Sequence, residues 1–303
     1  MKFLGNILFI LSTFIFVQNI NGQGCSDAGF CTIDNFKPGS TDTISENLNT
    51  LKIGLSYGSA DHDIAAFATY LEYNRKLTDR FSFDFKITSL SQNGNGISVF
   101  GPGDIFLSGS YQISRVIGLT GGVKIPLADG NKMLDQLPLP MDYQSSLGTF
   151  DLILGVGFYF GKLHLVAAWQ QPLTQNKNTF LSSDYPEDNV LNSFQSTNKF
   201  VRSGDVLLRI SYPFNLGNKF SITPSLLPIY HLVNDKYTDI NEEQKVIEGS
   251  QGLTLNANIY LDYNINYKNQ LQLNFGAPLI IRDARPDGLT RHYILSLEYK
   301  LSF

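Results

Sequence analysis

The last eleven residues, Tyr293-Ile294-Leu295-Ser296-Leu297-Glu298-Tyr299-Lys300-Leu301-Ser302-Phe303, decide the fold class. Every odd position holds a large apolar or aromatic side chain, and most even positions hold a polar or charged one. Successive side chains of a β-strand point to opposite faces, so this alternation predicts a strand with one apolar and one polar face. Such a strand fits a soluble β-protein. It fits a membrane barrel better, because there the apolar face contacts lipid and the polar face lines a lumen.

The same alternation recurs along the chain from residue 50 onward. We predict twelve strands, at 51–57, 67–73, 81–87, 105–113, 117–125, 152–160, 163–169, 206–212, 220–230, 253–263, 271–277 and 293–303. An even number is typical of bacterial barrels whose two chain ends both lie in the periplasm. The fold class predicted is therefore all-β, an up-and-down antiparallel transmembrane barrel.

The connections between these strands sort by length. Those after odd strands are long and polar: 91–103, 128–146, 174–199, 233–250 and 282–291. Those after even strands are short: 78–80, 114–115, 161–162, 215–218 and 267–269. The short connection Asp61–Asp63 is an exception. This sorting predicts short periplasmic turns and long extracellular loops.

Two prolines interrupt the ninth predicted strand. Pro224 and Pro228 each remove a backbone N–H donor from the strand ladder. We therefore expect a bulge or a kink in this strand.

Composition excludes several classes of function. The 303 residues carry a formal charge of −4, so the sequence has no basic footprint for nucleic acid. The 43% hydrophobic content coexists with a mean hydropathy of −0.07, as expected for apolar residues spread by alternation. The sequence has no phosphate loop, nucleophile elbow or paired-cysteine zinc motif. We therefore expect no cofactor and no metal.

The N-terminus has the pattern of a secretory signal peptide. Lys2 precedes an apolar run at 7–17, and small or polar residues follow at 19–24. We predict a signal peptide at 1–22, a periplasmic N-terminal segment at 23–49 and the barrel at 50–303. For residues 32–49, a plug inside the lumen is the alternative.

Two cysteines lie just after the predicted cleavage site. Beyond a signal peptide the compartment is oxidising, so Cys25 and Cys31 are predicted to form a disulfide. Acylation of Cys25 as a lipoprotein and a redox or metal site are the alternatives, and all three stay open.

Charged side chains of both signs fall on the predicted lumen face. The candidates are Lys52, Glu72, Asp84, Lys86, Asp104, Lys124, Asp151, His164, Asp205, Arg209, Asp262, Glu298 and Lys300. Mixed signs predict cross-strand ion pairs in a narrow, partly filled lumen, in place of a wide ion-selective pore. These groups either support the barrel or line a solute path.

A serine and a histidine share this face in the last strand. His292, Ser296 and Glu298 raise the possibility of a hydrolase, but they stand roughly 7–13 Å or more apart on one strand, too far for mutual hydrogen bonds. Lumen lining is the simpler interpretation, and we predict no enzymatic activity.

Several short motifs occur in an order that covers most of residues 50–303. They are Leu77-Thr78-Asp79-Arg80-Phe81-Ser82, Gly101-Pro102-Gly103-Asp104-Ile105, Lys124-Ile125-Pro126, Gly148-Thr149-Phe150-Asp151-Leu152 and Gly204-Asp205-Val206. In these motifs the chain resembles the outer-membrane proteins associated with meta-pathway phenol degradation, which are described as transporter-like. The resemblance implies a barrel that takes up small apolar or aromatic compounds. The C-terminal stretch also resembles the assembly signal of outer-membrane barrels, which implies that the barrel assembly machinery recognises the strand ending in Phe303.

Together these patterns predict a location in the outer membrane of a Gram-negative bacterium, in contact with its lipid. The function predicted is a passive channel or transporter for small, apolar or aromatic solutes. A structural or surface-interaction barrel, binding a partner through 174–199 and 233–250, is the first alternative. An outer-membrane hydrolase is the second.

Overall fold

The computed structural model describes residues 33, 36–38, 49–287 and 291–303. Among these residues, twelve antiparallel strands close into a barrel, which confirms the predicted fold class. The strands are β1 (Asn49–Ala60), β2 (Ala65–Lys76), β3 (Phe81–Gly94), β4 (Ile97–Gln112), β5 (Ile117–Pro126), β6 (Asp151–Phe160), β7 (Leu163–Pro172), β8 (Asp205–Ser211), β9 (Phe220–His231), β10 (Gly252–Asn264), β11 (Asn269–Ile280) and β12 (Arg291–Ser302). A short strand, Phe214–Leu216, also pairs with β9.

The barrel closes between its first and last strands. Lys52 of β1 lies opposite Lys300 of β12, and Leu55 lies opposite Leu297. Closure satisfies the backbone donors and acceptors of both edge strands, as a lipid environment requires. The C-terminal alternation is therefore that of the closing strand.

The outer face of the wall is apolar. Leu55 and Tyr57 on β1 are 44% and 46% exposed, and Leu295 and Leu297 on β12 are 43% and 47% exposed. Their neighbours in the sequence point inward, as strand geometry dictates. An apolar outer band on a closed barrel is the surface of a membrane-embedded wall.

The segment predicted as a loop at 91–103 is a hairpin instead. Gly94 pairs with Ile97, and β3 and β4 continue up to a two-residue turn at Asn95-Gly96. Both turn residues have positive φ, +53° and +74°, which the Asn-Gly pair adopts readily in a tight β-turn. The loop prediction was wrong because most of 91–103 lies in paired strands, and only Asn95 and Gly96 form the turn.

The expected bulge in β9 is absent. Pro224 lies opposite Ile259 of β10, and Pro228 lies opposite Leu255, without a register shift. Pairing is lost with β8 instead, because Leu208 and Arg209 form no ladder pairs with β9. Pairing then resumes in the same register, so the β8–β9 ladder is interrupted beside Pro228 without a register shift.

β1 begins at one end of the barrel and ends at the other, near Ala60, which we call the outer end. Two long connections cover the outer end. The connections at 127–150 and 173–204 bury Leu139, Tyr143 and Phe180 completely against the rim. Asn178 Nδ2 donates to Gly130 O at 2.9 Å and to Leu139 O at 3.1 Å, which ties the two connections together. We call this covering layer the cap.

Smaller elements complete the connections. They are the strand pairs Met133–Leu134 with Leu137–Pro138 and Lys236–Thr238 with Gln244–Val246, and the 3₁₀ turns Asp61–Asp63, Met141–Tyr143, Ser182–Asp184 and Val190–Ser193. Within the described part of the chain, no helix is long and apolar enough to span a membrane.

Candidate functional site

Part of the N-terminal segment lies inside the barrel. Ile33 and Phe36 are 3% and 1% exposed and pack among inward-facing strand residues, and Lys37 reaches the last strand. We call these three the plug residues. The sequence predicted a periplasmic segment at 23–49, with a plug inside the lumen as the alternative for 32–49. The plug residues lie where that alternative places them, because burying two large apolar side chains in the lumen is favourable. The boundaries of the segment stay a prediction.

One side of the lumen is apolar, and we call it the apolar wall. Strands β4, β6, β7, β8 and β9 each supply at least one large or methyl-bearing inward side chain. The members are Phe106, Ile153, Val166, Ala168, Leu207 and Leu227, all exposed by 6% or less. Ile33 and Phe36 belong to the same buried cluster. The apolar wall therefore has its partners in the plug.

A glycine in the wall makes room for the plug. A Cβ on Gly155 would lie 2.5 Å from Cε1 of Phe36 and 3.1 Å from the Cβ of Ala168. A glycine inside a strand often marks such a close approach. The Phe36 ring therefore occupies space that any side chain at position 155 would fill.

The opposite side of the lumen is charged, and we call it the charged wall. It consists of Lys52, Glu72, Lys86 and Glu298, from β1, β2, β3 and β12. Lys52 Nζ lies 3.2 Å from Glu72 Oε1, and Lys86 Nζ lies 3.0 Å from Glu72 Oε2. These are cross-strand ion pairs between buried groups.

Lys37 joins the plug to the charged wall. Its Nζ lies 3.3 Å from Glu298 Oε2, and the Tyr70 hydroxyl donates to the same carboxylate. Lys86 Nζ stands 3.7 Å above the centre of the Tyr70 ring, a cation–π contact. Consecutive plug residues thus contact opposite walls, Phe36 the apolar one and Lys37 the charged one.

The sequence motifs meet near the outer end of the lumen. Lys124 Nζ lies 3.0 Å from both Asp151 Oδ2 and Thr149 Oγ1, and Thr149 donates to Asp151 at 2.6 Å. Gln170 donates to Asp151 Oδ2, the same oxygen that Lys124 approaches, and Ser146 donates to Asp104. Residues from two motifs, Lys124, Thr149 and Asp151, therefore build one buried polar network, and Asp104 of a third motif lies in a separate pair with Ser146.

A second buried network, the rim network, links the barrel to its loops. His231 contacts Asp205 through Nδ1 at 2.7 Å and Asp235 through Nε2 at 2.8 Å. Asp205 also pairs with Arg202, which lies 3.4 Å from Asp287. Arg282 completes the chain of contacts, 2.9 Å from Asp287. The network connects loops after β7, β9 and β11.

The remaining candidates from the sequence are dispersed along the inner face. Asn74 donates to Asp84 at 2.6 Å, and Gln272 donates to Asp262 at 2.8 Å. Arg209 Nη1 donates to Tyr260 Oη at 2.7 Å. His164 is buried with its ring edge against Tyr159, and Lys300 is half-buried. Their place on the inner face does not by itself make them part of a solute path.

The serine and histidine of β12 do not form a catalytic pair. His292 Nε2 lies 3.2 Å from Asp61 Oδ1 in the turn between β1 and β2. Ser296 lies four residues along the same strand, roughly 13 Å away. Among the described residues, no group of three or more His, Cys, Asp or Glu side chains is arranged to hold a metal.

The apolar wall was not predicted from the sequence. The sequence does indicate this wall, because runs of three apolar residues break the alternation at Leu152-Ile153-Leu154 and Val206-Leu207-Leu208. The middle residue of each run faces the lumen. The signal peptide, Cys25 and Cys31 lie outside the described residues and stay predictions.

No family model and no curated protein matches the chain. Solved structures do match. The COG4313 outer membrane channel from Pseudomonas putida F1 aligns over 88% of this chain and 99% of its own, with 14% identity and a TM-score of 0.60. The Ralstonia pickettii toluene transporter TbuX aligns over 93% and 97% with 9% identity and a TM-score of 0.45, and the NanC porin over 84% and 98% with 10% identity and a TM-score of 0.44.

The shared feature is the fold of an outer-membrane channel, and only the first likeness is strong enough to support it. Together with the apolar outer band, this fold confirms the predicted place in the outer membrane of a Gram-negative bacterium. Membership of the meta-pathway family stays a prediction.

Proposed function

We propose that the chain mediates passive uptake of small apolar or aromatic solutes across the outer membrane. The observation that carries the proposal is the burial of Phe36 against the apolar wall, inside a lumen lined elsewhere by charge. A purely structural lumen filled by ion pairs has no need of an apolar cluster drawn from five strands. An apolar solute, in contrast, needs such a surface to leave water inside a barrel.

The fold supports this proposal. The COG4313 protein with the same architecture is an outer membrane channel. We propose no catalytic role, because His292 is paired with Asp61 and the serine on its strand lies far from it. The barrel assembly machinery, reading the strand that ends at Phe303, is the partner proposed for insertion.

A second candidate is a surface-interaction barrel. The observation in its favour is the cap, whose connections bury Tyr143, Phe180 and Leu191 in a core of their own. A rigid outer surface of this kind suits a binding partner. It also narrows the route into the lumen, so the two candidates differ in whether solute crosses.

Uptake by intact cells tests the proposal, because small apolar solutes cross plain lipid bilayers unaided. We would express the chain in a Gram-negative host and measure the initial rate of radiolabelled toluene uptake at low external concentration. The matched control is the same barrel with Gly155→Trp, which fills the space beside the apolar wall. Faster uptake with the wild type than with the control supports transport; equal rates, with both barrels folded and in the outer membrane, favour the surface-interaction candidate.

A further inference from the structure

We infer that the Phe36 side chain occupies the binding site for the transported solute and therefore competes with it. The inference rests on the proposed function and deepens it by naming the site and its ligand class. The ligand class is a neutral, single-ring aromatic molecule or an apolar molecule of similar size.

The shape of the site is set by the barrel and matches a ring. Gly155 leaves open the space that the Phe36 ring fills, and Ala168 beside it also has a small side chain. Phe106, Ile153 and Leu207 surround this space with larger side chains. A pocket formed by small residues among large ones accommodates one planar ring at close contact.

The chemistry of the site favours apolar ligands. The members of the apolar wall lack hydrogen-bonding side-chain groups and are buried. A carboxylate placed against them loses its hydrogen bonds to water. One hydroxyl stands beside the site, because Thr120 lies opposite Gly155, and it is already hydrogen-bonded to Ser110 at 2.8 Å. We therefore expect the site to prefer toluene to benzoate.

The plug residues contact both sides of the lumen. The Phe36 ring packs on the apolar wall, whereas Lys37 is bound by Glu298 on the opposite side. A solute that takes the place of the ring leaves the ion pair intact. Solute binding at the ring position and retention of the plug by the ion pair are thus separable. Substitution of Phe36 removes the ring and keeps the ion pair.

The experiment uses the full chain in detergent micelles and measures thermal unfolding with and without saturating toluene. Phe36→Ala empties the site and keeps Lys37. Phe100→Ala is the matched control, because Phe100 is 68% exposed and toluene alters every micelle. We expect toluene to raise the unfolding temperature of Phe36→Ala by at least about 3 °C beyond its effect on the control.

A second variant distinguishes binding at this site from misfolding and from non-specific binding of toluene. Gly155→Val fills the site itself, so toluene should give no extra shift although the ring has been displaced. Equal shifts in Phe36→Ala and Phe100→Ala, or a shift in Gly155→Val as large as in Phe36→Ala, would overturn the inference.

The outcome is distinguishable from failure of the proposed function. Toluene uptake by cells without any specific shift in Phe36→Ala overturns the site and leaves the transport proposal standing. A specific shift without uptake supports the site and overturns transport.

Discussion

Lys37 and Glu298 are 261 positions apart in the chain, and their Nζ and Oε2 atoms are 3.3 Å apart. Glu298 also lies 4.0 Å from Lys52 through its other oxygen. One carboxylate of the last strand thus joins the plug to the charged wall. The side chains of the pair are 14% and 9% exposed, so water compensates only in part for the loss of the pair.

Removing the charge of Lys37 should loosen the plug. Lys37→Met keeps most of the apolar stem and leaves Glu298 with Lys52 and Tyr70. We expect a higher single-channel conductance in planar bilayers, because the plug then loses its ion pair with the charged wall and keeps the packing of Ile33 and Phe36 on the apolar wall. Lys199→Met is the control, since Lys199 forms an exposed ion pair with Glu242. Identical conductance of the two variants would show that the ion pair does not retain the plug.

The Lys124–Asp151 pair should be essential to the stability of the outer half of the barrel. Both groups are at most 2% exposed, so Lys124→Met leaves a buried carboxylate without its cation. We expect a loss of about 3–5 kcal/mol in the free energy of unfolding, and substantial recovery when Asp151→Leu is added. Urea unfolding of the refolded barrel measures both. Lys245→Met, in an exposed pair, should leave the midpoint unchanged.

The rim network should hold the outer loops closed across a wide pH range. Burial alone would raise the pKa of the Asp287 carboxyl, but Arg282 and Arg202 outweigh burial and hold that pKa well below its usual range. A depressed pKa gives stability that is present above the unfolded value of about 3.9 and is lost as the pH falls through the folded value.

We therefore expect amide hydrogen exchange in 281–287 to stay slow, after correction for the intrinsic rate, between about pH 8 and about pH 5. Asp287→Asn should speed this exchange already at neutral pH, because two buried guanidinium groups lose their shared carboxylate. Loss of protection in the wild type between neutral pH and pH 5 would contradict the prediction.

The interrupted ladder between β8 and β9 should be repairable. Pro228 lies opposite Leu208, where pairing is absent. Pro228→Val restores a backbone donor on a lipid-facing strand position, and we expect stabilisation of about 1 kcal/mol. Gel heat-modifiability with rising temperature reports it. Pro126→Val is the control, because Pro126 is the last residue of β5 and a new donor there adds little to the strand pairing. A rise no larger than that of Pro126→Val would mean that β8 is held apart for another reason.

The wall of the barrel was predictable because lipid and water impose a two-residue period on every strand. Positions such as Leu297 and Glu298 reveal their faces by their chemistry alone. The hairpin at Asn95-Gly96 was missed because glycine and asparagine were counted as loop residues, although the pair is itself a turn signal between strands.

The contents of the lumen were harder to predict. Residues 32–49 show no period, so nothing local indicates that Phe36 is buried. Its position depends on a vacancy at Gly155, more than a hundred residues away, and on an apolar wall drawn from five strands. Such long-range complementarity leaves no periodic signal in the sequence.

The contact between Lys37 and Glu298 also has a consequence for biogenesis. Its two partners come from opposite ends of the chain, and Glu298 reaches its place only when β12 pairs with β1. The plug residues must therefore lie within the curling sheet before β1 and β12 pair, or they must thread into a finished barrel. In the first route the plug enters the lumen during membrane insertion, and the Lys37–Glu298 contact forms in the same step as the pairing of β1 with β12.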